Sequence, residues 1–183
     1  MNYSKQYLSE LSSKTNFLKD NLEKVLRLSQ ILKFLNTSDV FKGKLALKGG
    51  TGINLTVVEL PRLSVDIDLD FTDNLSKENI TEIKEKFTKS LIDYMWQEDY
   101  SLMVSPIEHY ALLSFTFNYV NNSGNRDSIK IEINFIDRCH ILPLEQKIAL
   151  SKEIIEPFEI LTLNTTELYA SIIKCPTSNF SYW

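Results

Sequence analysis

The sequence predicts an α+β fold in which a mixed β-sheet is flanked by helices, and three observations support this. Apolar side chains recur at helical spacing through the first forty residues. Two short strand-like segments then enclose a Gly-Gly pair. Several strands without intervening helices follow in the second half. Helices and strands that give way to a β-meander are typical of α+β domains.

The first half of the chain predicts helical and strand elements in turn. The opening helical segment breaks near Ser12–Asn16. Its apolar positions are separated by Lys, Glu and Ser, so we expect residues 1–40 to pack as helices on a core. The next elements are a strand at Lys44–Leu47, a helix at Gly52–Val58 capped by Thr51 and stopped by Pro61, and a strand at Val65–Phe71.

The second half begins with a helix over Ser76–Trp96, for which Ser76 is a suitable N-cap. The polar run 121–125 predicts a turn between two strands. The predicted strands are Leu102–Ser105, Tyr110–Val120, Ser128–Ile136 and Ile154–Leu163, and a helix starts at about Thr165. We therefore expect a core at 41–163 and the start of a C-terminal helical region at 164–183.

Composition narrows the classes of protein that fit. An apolar content of 43% over 183 residues suits one folded domain and argues against disorder. The net charge of −4 gives no general attraction to nucleic acid or membranes, so a bound RNA would need local basic patches. The two cysteines form no CxxC pair, the N-terminus is polar, and no apolar stretch reaches the ~20 residues of a membrane span. A soluble cytoplasmic protein is the expectation.

Two alternating segments carry the candidate metal ligands. In a strand over Val65–Phe71, Asp66, Asp68 and Asp70 share one face, with alternate residues roughly 6.6 Å apart. In Ile129–Phe135, Glu132 lies on the face opposite the isoleucines. If these strands are neighbours in register, Asp66, Asp68 and Glu132 form a three-carboxylate cluster. Carboxylates in this arrangement repel one another unless a cation such as Mg²⁺ or Mn²⁺ joins them.

The Gly-Gly turn predicts a phosphate site. Gly49, Gly50 and Thr51 lie between a strand and a helix, where backbone amides can approach a phosphate closely. The turn is neither a Walker loop nor a dinucleotide fingerprint, because GxxxxGK[ST] and GxGxxG are both absent. Lys48 and Arg62 are the nearest candidate phosphate-binding cations.

Together these motifs resemble a known family. A Gly-Gly pair followed by Asp-Ile-Asp matches the polymerase-β-like nucleotidyltransferase pattern. The fuller strings LKGGTGINL and RLSVDIDLDF are similar to the nucleotidyl transferase AbiEii/AbiGii toxin family. The strand IKIEINF then supplies the third carboxylate of that family's pattern, and the resemblance covers roughly residues 20–172.

The resemblance implies a polymerase-β-like nucleotidyltransferase fold and a bacterial toxin of a toxin–antitoxin or abortive-infection system used in phage defence. Such toxins use a nucleoside triphosphate and Mg²⁺, and some modify the 3′ end of tRNA. In a site with two metal ions, one of which activates the acceptor hydroxyl, Asp66 and Asp68 would by position bind both ions and Glu132 the ion on the acceptor side. Gly49, Gly50 and Thr51 would hold phosphates, with Lys48 and Arg62 beside them. A cognate antitoxin is the expected partner.

The family pattern is not followed at the C-terminus. Ile172 stands where the family has a lysine, Lys174 comes two places later, and CPTSNFSYW has no helical pattern. The expected C-terminal helical part is therefore truncated. Two alternatives remain open at this point: nucleotidyl transfer to a small molecule or protein hydroxyl, and a shortened domain that binds nucleotide or antitoxin without catalysis.

Overall fold

A computed structural model of the chain describes residues 3–58, 64–136, 140–151 and 154–173, and it confirms the α+β class. The helices are α1 (Lys5–Thr15), α2 (Lys19–Thr37), α3 (Gly49–Thr56), α4 (Lys77–Gln97) and α5 (Thr165–Ile173). The strands are β1 (Leu45–Leu47), β2 (Ile67–Phe71), β3 (Ser101–Leu102), β4 (Ile107–Glu108), β5 (Leu112–Val120), β6 (Arg126–Asn134), β7 (Glu145–Ser151) and β8 (Ile155–Thr162). The division at residues 40 and 163 stays a prediction.

The strands form one mixed sheet with the order β3-β5-β6-β2-β1-β8-β7, and β4 pairs with β5 at one edge. β2 runs parallel to β6, and β1 runs parallel to β8. The other pairings are antiparallel. Because β2 lies between β1 and β6, the Asp-rich segment occupies the middle of the sheet.

One face of this sheet is the main hydrophobic core. Ile67, Leu69 and Phe71 of β2 are fully buried and stand in register with residues of β1 and β6. They belong to one apolar cluster with residues of α2 and α4, including Leu28 and Phe87. Alternation along β2 therefore directs every apolar side chain of the strand into the core and its aspartates to the opposite face.

Within the described residues, a small second apolar cluster covers one end of the opposite face. Ala46, Ile53, Leu163 and Leu168 are buried together there. Gly52 permits close contact between α3 and α5, because a Cβ on this residue would lie 2.9 Å from the Leu168 side chain. This packing holds α3, and hence the Gly-Gly turn, against the sheet.

The helix termini follow their sequence signals. The N-cap of α1 is Ser4, whose hydroxyl accepts from the Tyr7 amide, and its C-cap is Asn16 in the left-handed conformation with φ 60°. The predicted break between α1 and α2 lies here. Ser76 is the N-cap of α4 as predicted, and the Ser76 hydroxyl accepts from the Asn79 amide. Among the described residues, no helix has the length and apolarity needed to cross a lipid bilayer.

The structure corrects several predicted boundaries. α3 begins at Gly49, so Thr51 lies inside its first turn and is not its cap; the N-cap is Lys48. β2 begins at Ile67, which leaves Asp66 just before the strand. The strand predicted at 102–105 is reduced to two residues, and β4 was not predicted. β7 was also missed, because the segment EQKIALS has too few apolar residues to show alternation.

A buried ion cluster fixes α2 against β5, and we define it as Glu23, Arg27, Tyr100 and Tyr119. Glu23 and Arg27 are 1% and 3% exposed, and the carboxylate accepts two hydrogen bonds from the guanidinium at 2.8 and 2.9 Å. Arg27 also donates to the Tyr100 hydroxyl and lies 4.3 Å from the centre of the Tyr119 ring. The second Glu23 oxygen accepts from the Asn122 amide in the β5–β6 turn. Every charge in this cluster thus has a partner.

Asp127 extends this contact along β6. Its carboxylate accepts from Lys24, from the Tyr119 hydroxyl and from the Ser128 amide. Partial burial alone would raise the pKa of Asp127, but these hydrogen bonds outweigh it and the pKa is lowered. The ionised carboxylate therefore contributes to holding α2 on the hairpin.

Candidate active site

The polar face of β2 and β6 brings two carboxylates together. Asp68 and Glu132 are directly opposite each other in the parallel pairing of these strands. Directly opposed residues of a parallel pair project to the same side of the sheet. Both side chains are half-buried and lie on the face that the main core leaves free. Asp68 and Glu132 are separated by 63 residues in the sequence, and the pairing of β2 with β6 brings them together.

Repulsion between these groups has a visible consequence for Asp68. Burial raises the pKa of Asp68, and the negative charges of Glu132 and Asp66 raise it further. Lys48 and Lys130 act in the opposite direction but do not cancel the shift. The geometry therefore concentrates negative charge at one point, where a cation would be stabilised.

Asp66 has a different environment from Asp68. It is exposed and precedes the first residue of β2. Its side chain is close enough to influence the pKa of Asp68, and its backbone carbonyl accepts a hydrogen bond from Thr51. The described residues contain no group of three or more His, Cys, Asp or Glu side chains arranged to hold a metal ion. The role of Asp66 as a metal ligand stays a prediction.

The pair formed by Asp68 and Glu132 nevertheless fits a hard divalent cation. Mg²⁺ is commonly bound through one or two carboxylates, with water and substrate phosphates as its remaining ligands. The pKa of Asp68 is raised first by burial and next by the charge of Glu132. A bound cation would reduce this repulsion between the carboxylates. The ligands that Asp68 and Glu132 offer are oxygen atoms, which suits a hard cation better than a soft one.

Two lysines flank the carboxylates on this face. Lys48 forms an ion pair of 2.5 Å with Asp70, a side chain only 4% exposed. Lys130 lies 3.0 Å from Glu132 and is half exposed. Continuing the register of β2 and β6 by one residue beyond the Ile67–Ile131 pair places Lys130 across from Asp66. The site thus has positive charge on both sides of the Asp68–Glu132 pair.

The Gly-Gly turn lies immediately beside Asp68. Gly49 has φ +68°, a conformation that favours glycine, and a Cβ there would lie 2.9 Å from the Asp68 carboxylate. α3 starts at this residue, and Lys48 as N-cap makes no side-chain capping hydrogen bond. The start of α3, the positive end of its helix dipole, therefore lies beside the Asp68 carboxylate. Backbone amides at such a helix start would favour a phosphate group.

Some of the predicted site residues lie close together in the structure, and others do not. It brings Lys48, Gly49 and Asp68 into one neighbourhood with Glu132, while Arg62 lies outside the described residues. Thr51 is 1% exposed with its hydroxyl directed at the backbone of residue 66. Its predicted phosphate contact is thus left to its backbone amide.

Three polar residues of this site were not predicted as part of it: Ser64, Asp70 and Lys130. For Asp70 the signal was present, since it continues the alternation of Asp66 and Asp68 on one face. Lys130 is two residues from Glu132 in a strand, which also predicts a shared face. Ser64 carries no comparable signal, because its contact with Thr51 arises from a loop conformation.

Comparison with known proteins identifies the family of this chain and a solved structure of similar fold. Residues 33–171 match the family described as "Nucleotidyl transferase AbiEii toxin, Type IV TA system". Among solved structures, the chain is similar to MenT4, a nucleotidyltransferase toxin from Mycobacterium tuberculosis H37Rv, with a TM-score of 0.57 and 16% sequence identity. The match covers 90% of this chain and 56% of MenT4, so the chain spans little more than half the length of that toxin. No curated protein is matched.

Proposed function

The chain belongs to the nucleotidyl transferase AbiEii toxin family of type IV toxin–antitoxin systems, and from this premise we propose that it is a Mg²⁺-dependent nucleotidyltransferase. It transfers a nucleoside monophosphate from a nucleoside triphosphate to an RNA acceptor, the 3′ end of tRNA. The observation that supports this best is the pairing of Asp68 with Glu132 beside the Gly-Gly turn.

Asp68 and Glu132 would hold the cation, with Asp66 adding a third carboxylate from its position before β2. Mg²⁺, or Mn²⁺ in its place, supplies a Lewis acid that neutralises triphosphate charge and lowers the pKa of an acceptor hydroxyl. Before any cation binds, Lys130 offsets part of the negative charge of Glu132 through its 3.0 Å ion pair.

The Gly-Gly turn would bind the triphosphate. Amides of Gly49, Gly50 and Thr51 at the start of α3 donate to phosphate oxygens, and the glycines leave no side chain in the way. Lys48 keeps its ammonium beside Asp70 and adds positive charge at the same end of α3. Arg62 remains a candidate second clamp, since a guanidinium can bind two phosphate oxygens.

The proposed reaction is a displacement at the α-phosphorus. The acceptor hydroxyl oxygen forms a bond to this phosphorus while the bond from the phosphorus to the bridging oxygen of pyrophosphate breaks. The hydroxyl proton leaves to solvent, and the electron pair of the broken bond stays with pyrophosphate. The residues of the chain contribute by fixing the triphosphate and the acceptor in line.

The family suggests an antitoxin partner, and RNA as the acceptor and a cytoplasmic location are parts of the proposal. The net charge of −4 makes RNA binding depend on local lysines such as Lys130. If the acceptor is instead a small molecule or a protein hydroxyl, the same carboxylate site serves it.

Incubation with each of the four labelled triphosphates, Mg²⁺ and total RNA tests the proposal. We expect label from one triphosphate in RNA of tRNA size, and none after Asp66→Ala/Asp68→Ala substitution. Label that appears only on protein or on small molecules would exclude the RNA acceptor. The absence of incorporation into any fraction, with folded protein, would contradict nucleotidyl transfer itself.

A further inference from the structure

Each residue of the Gly49-Gly50-Thr51 turn contacts the chain segment 64–68, which leads into and begins β2. A Cβ at Gly49 would lie 2.9 Å from Asp68 Oδ2, and one at Gly50 would lie 3.2 Å from Ser64 Oγ. Thr51 makes the third contact through its hydroxyl. The turn and this segment are thus fitted to each other residue by residue.

The Thr51 hydroxyl is committed to this contact. It donates to the carbonyl oxygen of Asp66 at 2.5 Å and lies 2.9 Å from the Ser64 hydroxyl oxygen. Thr51 is only 1% exposed. Turning the hydroxyl toward a ligand would break this part-buried hydrogen bond and leave the Asp66 carbonyl without its Thr51 donor, which opposes the change. The side chain of Thr51 is therefore not available to a phosphate.

Asp66 needs such support more than Asp68 does. Asp68 lies within β2, where its carbonyl accepts from the Lys48 amide and its neighbour across the sheet is Glu132. Asp66 precedes the strand, and its side chain is exposed. The hydrogen bond from Thr51 fixes the backbone at the residue where the sheet ladder of β2 has not yet begun.

We infer that the Gly-Gly-Thr turn positions the aspartate segment and that Thr51 is a positioning residue for Asp66. The side chain of Thr51 does not bind phosphate. This rests on the proposed function, in which Asp66 and Asp68 bind the cation. Residues that orient metal ligands typically change metal affinity or activity by about 10–100-fold when they are removed. Thr51 falls in this class by geometry.

The chain offers a matched set of variants. Thr51→Val removes the hydroxyl and keeps the shape, Thr51→Ala removes it without adding a methyl, and Thr51→Ser keeps it. Thr56→Val is the control, because Thr56 lies in the same helix and its hydroxyl donates only within α3, to the Gly52 carbonyl at 2.7 Å. Circular dichroism verifies that each variant is folded.

Two measurements decide the role of Thr51. Mn²⁺ affinity, measured by electron paramagnetic resonance without nucleotide, should fall about 10-fold or more in Thr51→Val and Thr51→Ala. It should stay within about threefold of wild type in Thr51→Ser and Thr56→Val, since both keep the bond to Asp66. In the transfer assay, Thr51→Val should lower kcat and leave the KM for the triphosphate nearly unchanged.

Unchanged Mn²⁺ affinity in a folded Thr51→Val or Thr51→Ala variant would overturn the inference. So would a rise in the KM for the triphosphate without loss of kcat, because this would indicate a phosphate contact. Should the wild-type chain bind Mn²⁺ and transfer no nucleotide, the proposed function fails while the affinities still decide the role of Thr51. A wild-type chain that binds no Mn²⁺ overturns both.

Discussion

The buried ion cluster and the carboxylate site both place acidic side chains beside basic ones, yet they differ in how the charges are matched. Glu23 and Arg27 are almost inaccessible to solvent and satisfy each other with two hydrogen bonds. Asp68 and Glu132 are of like charge, half exposed, and only partly offset by Lys48 and Lys130. A matched cluster contributes to the fold, whereas an unmatched one at the surface is suited to binding a cation.

The largest effect on stability should come from breaking the matched cluster. Glu23→Gln leaves the buried Arg27 guanidinium without a counter-charge, and we expect a loss of about 3–5 kcal/mol in the free energy of unfolding. Urea denaturation measures it. Glu82→Gln is the control, because Glu82 pairs with Lys86 at the same helical spacing with both side chains 63% exposed. Its effect on the free energy of unfolding should be far smaller, because solvent screens an exposed ion pair. Equal losses in the two variants would remove the distinction between the clusters.

At the carboxylate site, Asp68→Asn should lower activity and raise stability. Nucleotidyl transfer should fall about 10³-fold, equivalent to about 4 kcal/mol in the barrier. The free energy of unfolding should rise by about 0.5–2 kcal/mol, as when strain at an active site is relieved. The pKa of Asp68 is raised on folding, so its ionised form opposes folding once the pH exceeds that pKa.

Thermal unfolding and the labelled-triphosphate assay measure these two outcomes on the same preparation. Asp39→Asn serves as the control, since Asp39 is an exposed carboxylate in the turn before β1. A destabilised Asp68→Asn protein would mean that Asp68 stabilises the fold, as Glu23 does.

A divalent cation should stabilise the wild-type chain and not the Asp68→Asn variant. At ten times its dissociation constant, Mg²⁺ or Mn²⁺ would add about 1.4 kcal/mol to the free energy of unfolding. Thermal shifts with the metal and after addition of EDTA measure this. Identical shifts in the two proteins would place the cation elsewhere on the molecule.

The smallest effect concerns acid sensitivity at the edge of the buried cluster. The pKa of Asp127 is lowered by its hydrogen bonds, so the stability it contributes is present above its unfolded pKa of about 3.9. This contribution is lost as the pH falls through the lower pKa of the folded chain. Asp127→Asn should therefore flatten the dependence of stability on pH below about pH 4. An unchanged slope in urea titrations over this range would show that Lys24 and Tyr119 do not favour the charged form.

Local sequence patterns predicted the parts of the fold and site that depend on neighbouring residues. The alternation at Val65–Phe71 predicted which side chains of β2 enter the core, and Ser76 predicted the start of α4. In these cases periodicity or a cap provides the information directly.

What could not be predicted depends on contacts between distant residues. Glu23 and Arg27 lie on α2 like other charged residues, and contacts with distant residues, among them Tyr100, Tyr119 and Asn122, accompany their burial. Thr51 is of a residue type that often caps helices. In the structure α3 begins two residues earlier, at Gly49 with its positive φ, and the Thr51 hydroxyl bonds to the Asp66 carbonyl. Tertiary packing decided both.

The parallel pairing of β2 with β6 determines when the carboxylate pair first exists. Parallel strands cannot be joined by a tight turn, and here α4 and the β3–β5 region separate Asp68 from Glu132 along the chain. During synthesis, a nascent polypeptide carries one half of the pair until β6 has emerged from the ribosome and docked. Contacts of such long sequence separation form slowly. A newly made molecule is thus without its paired carboxylates until β6 has docked beside β2, so a chain interrupted before β6 lacks the pair altogether.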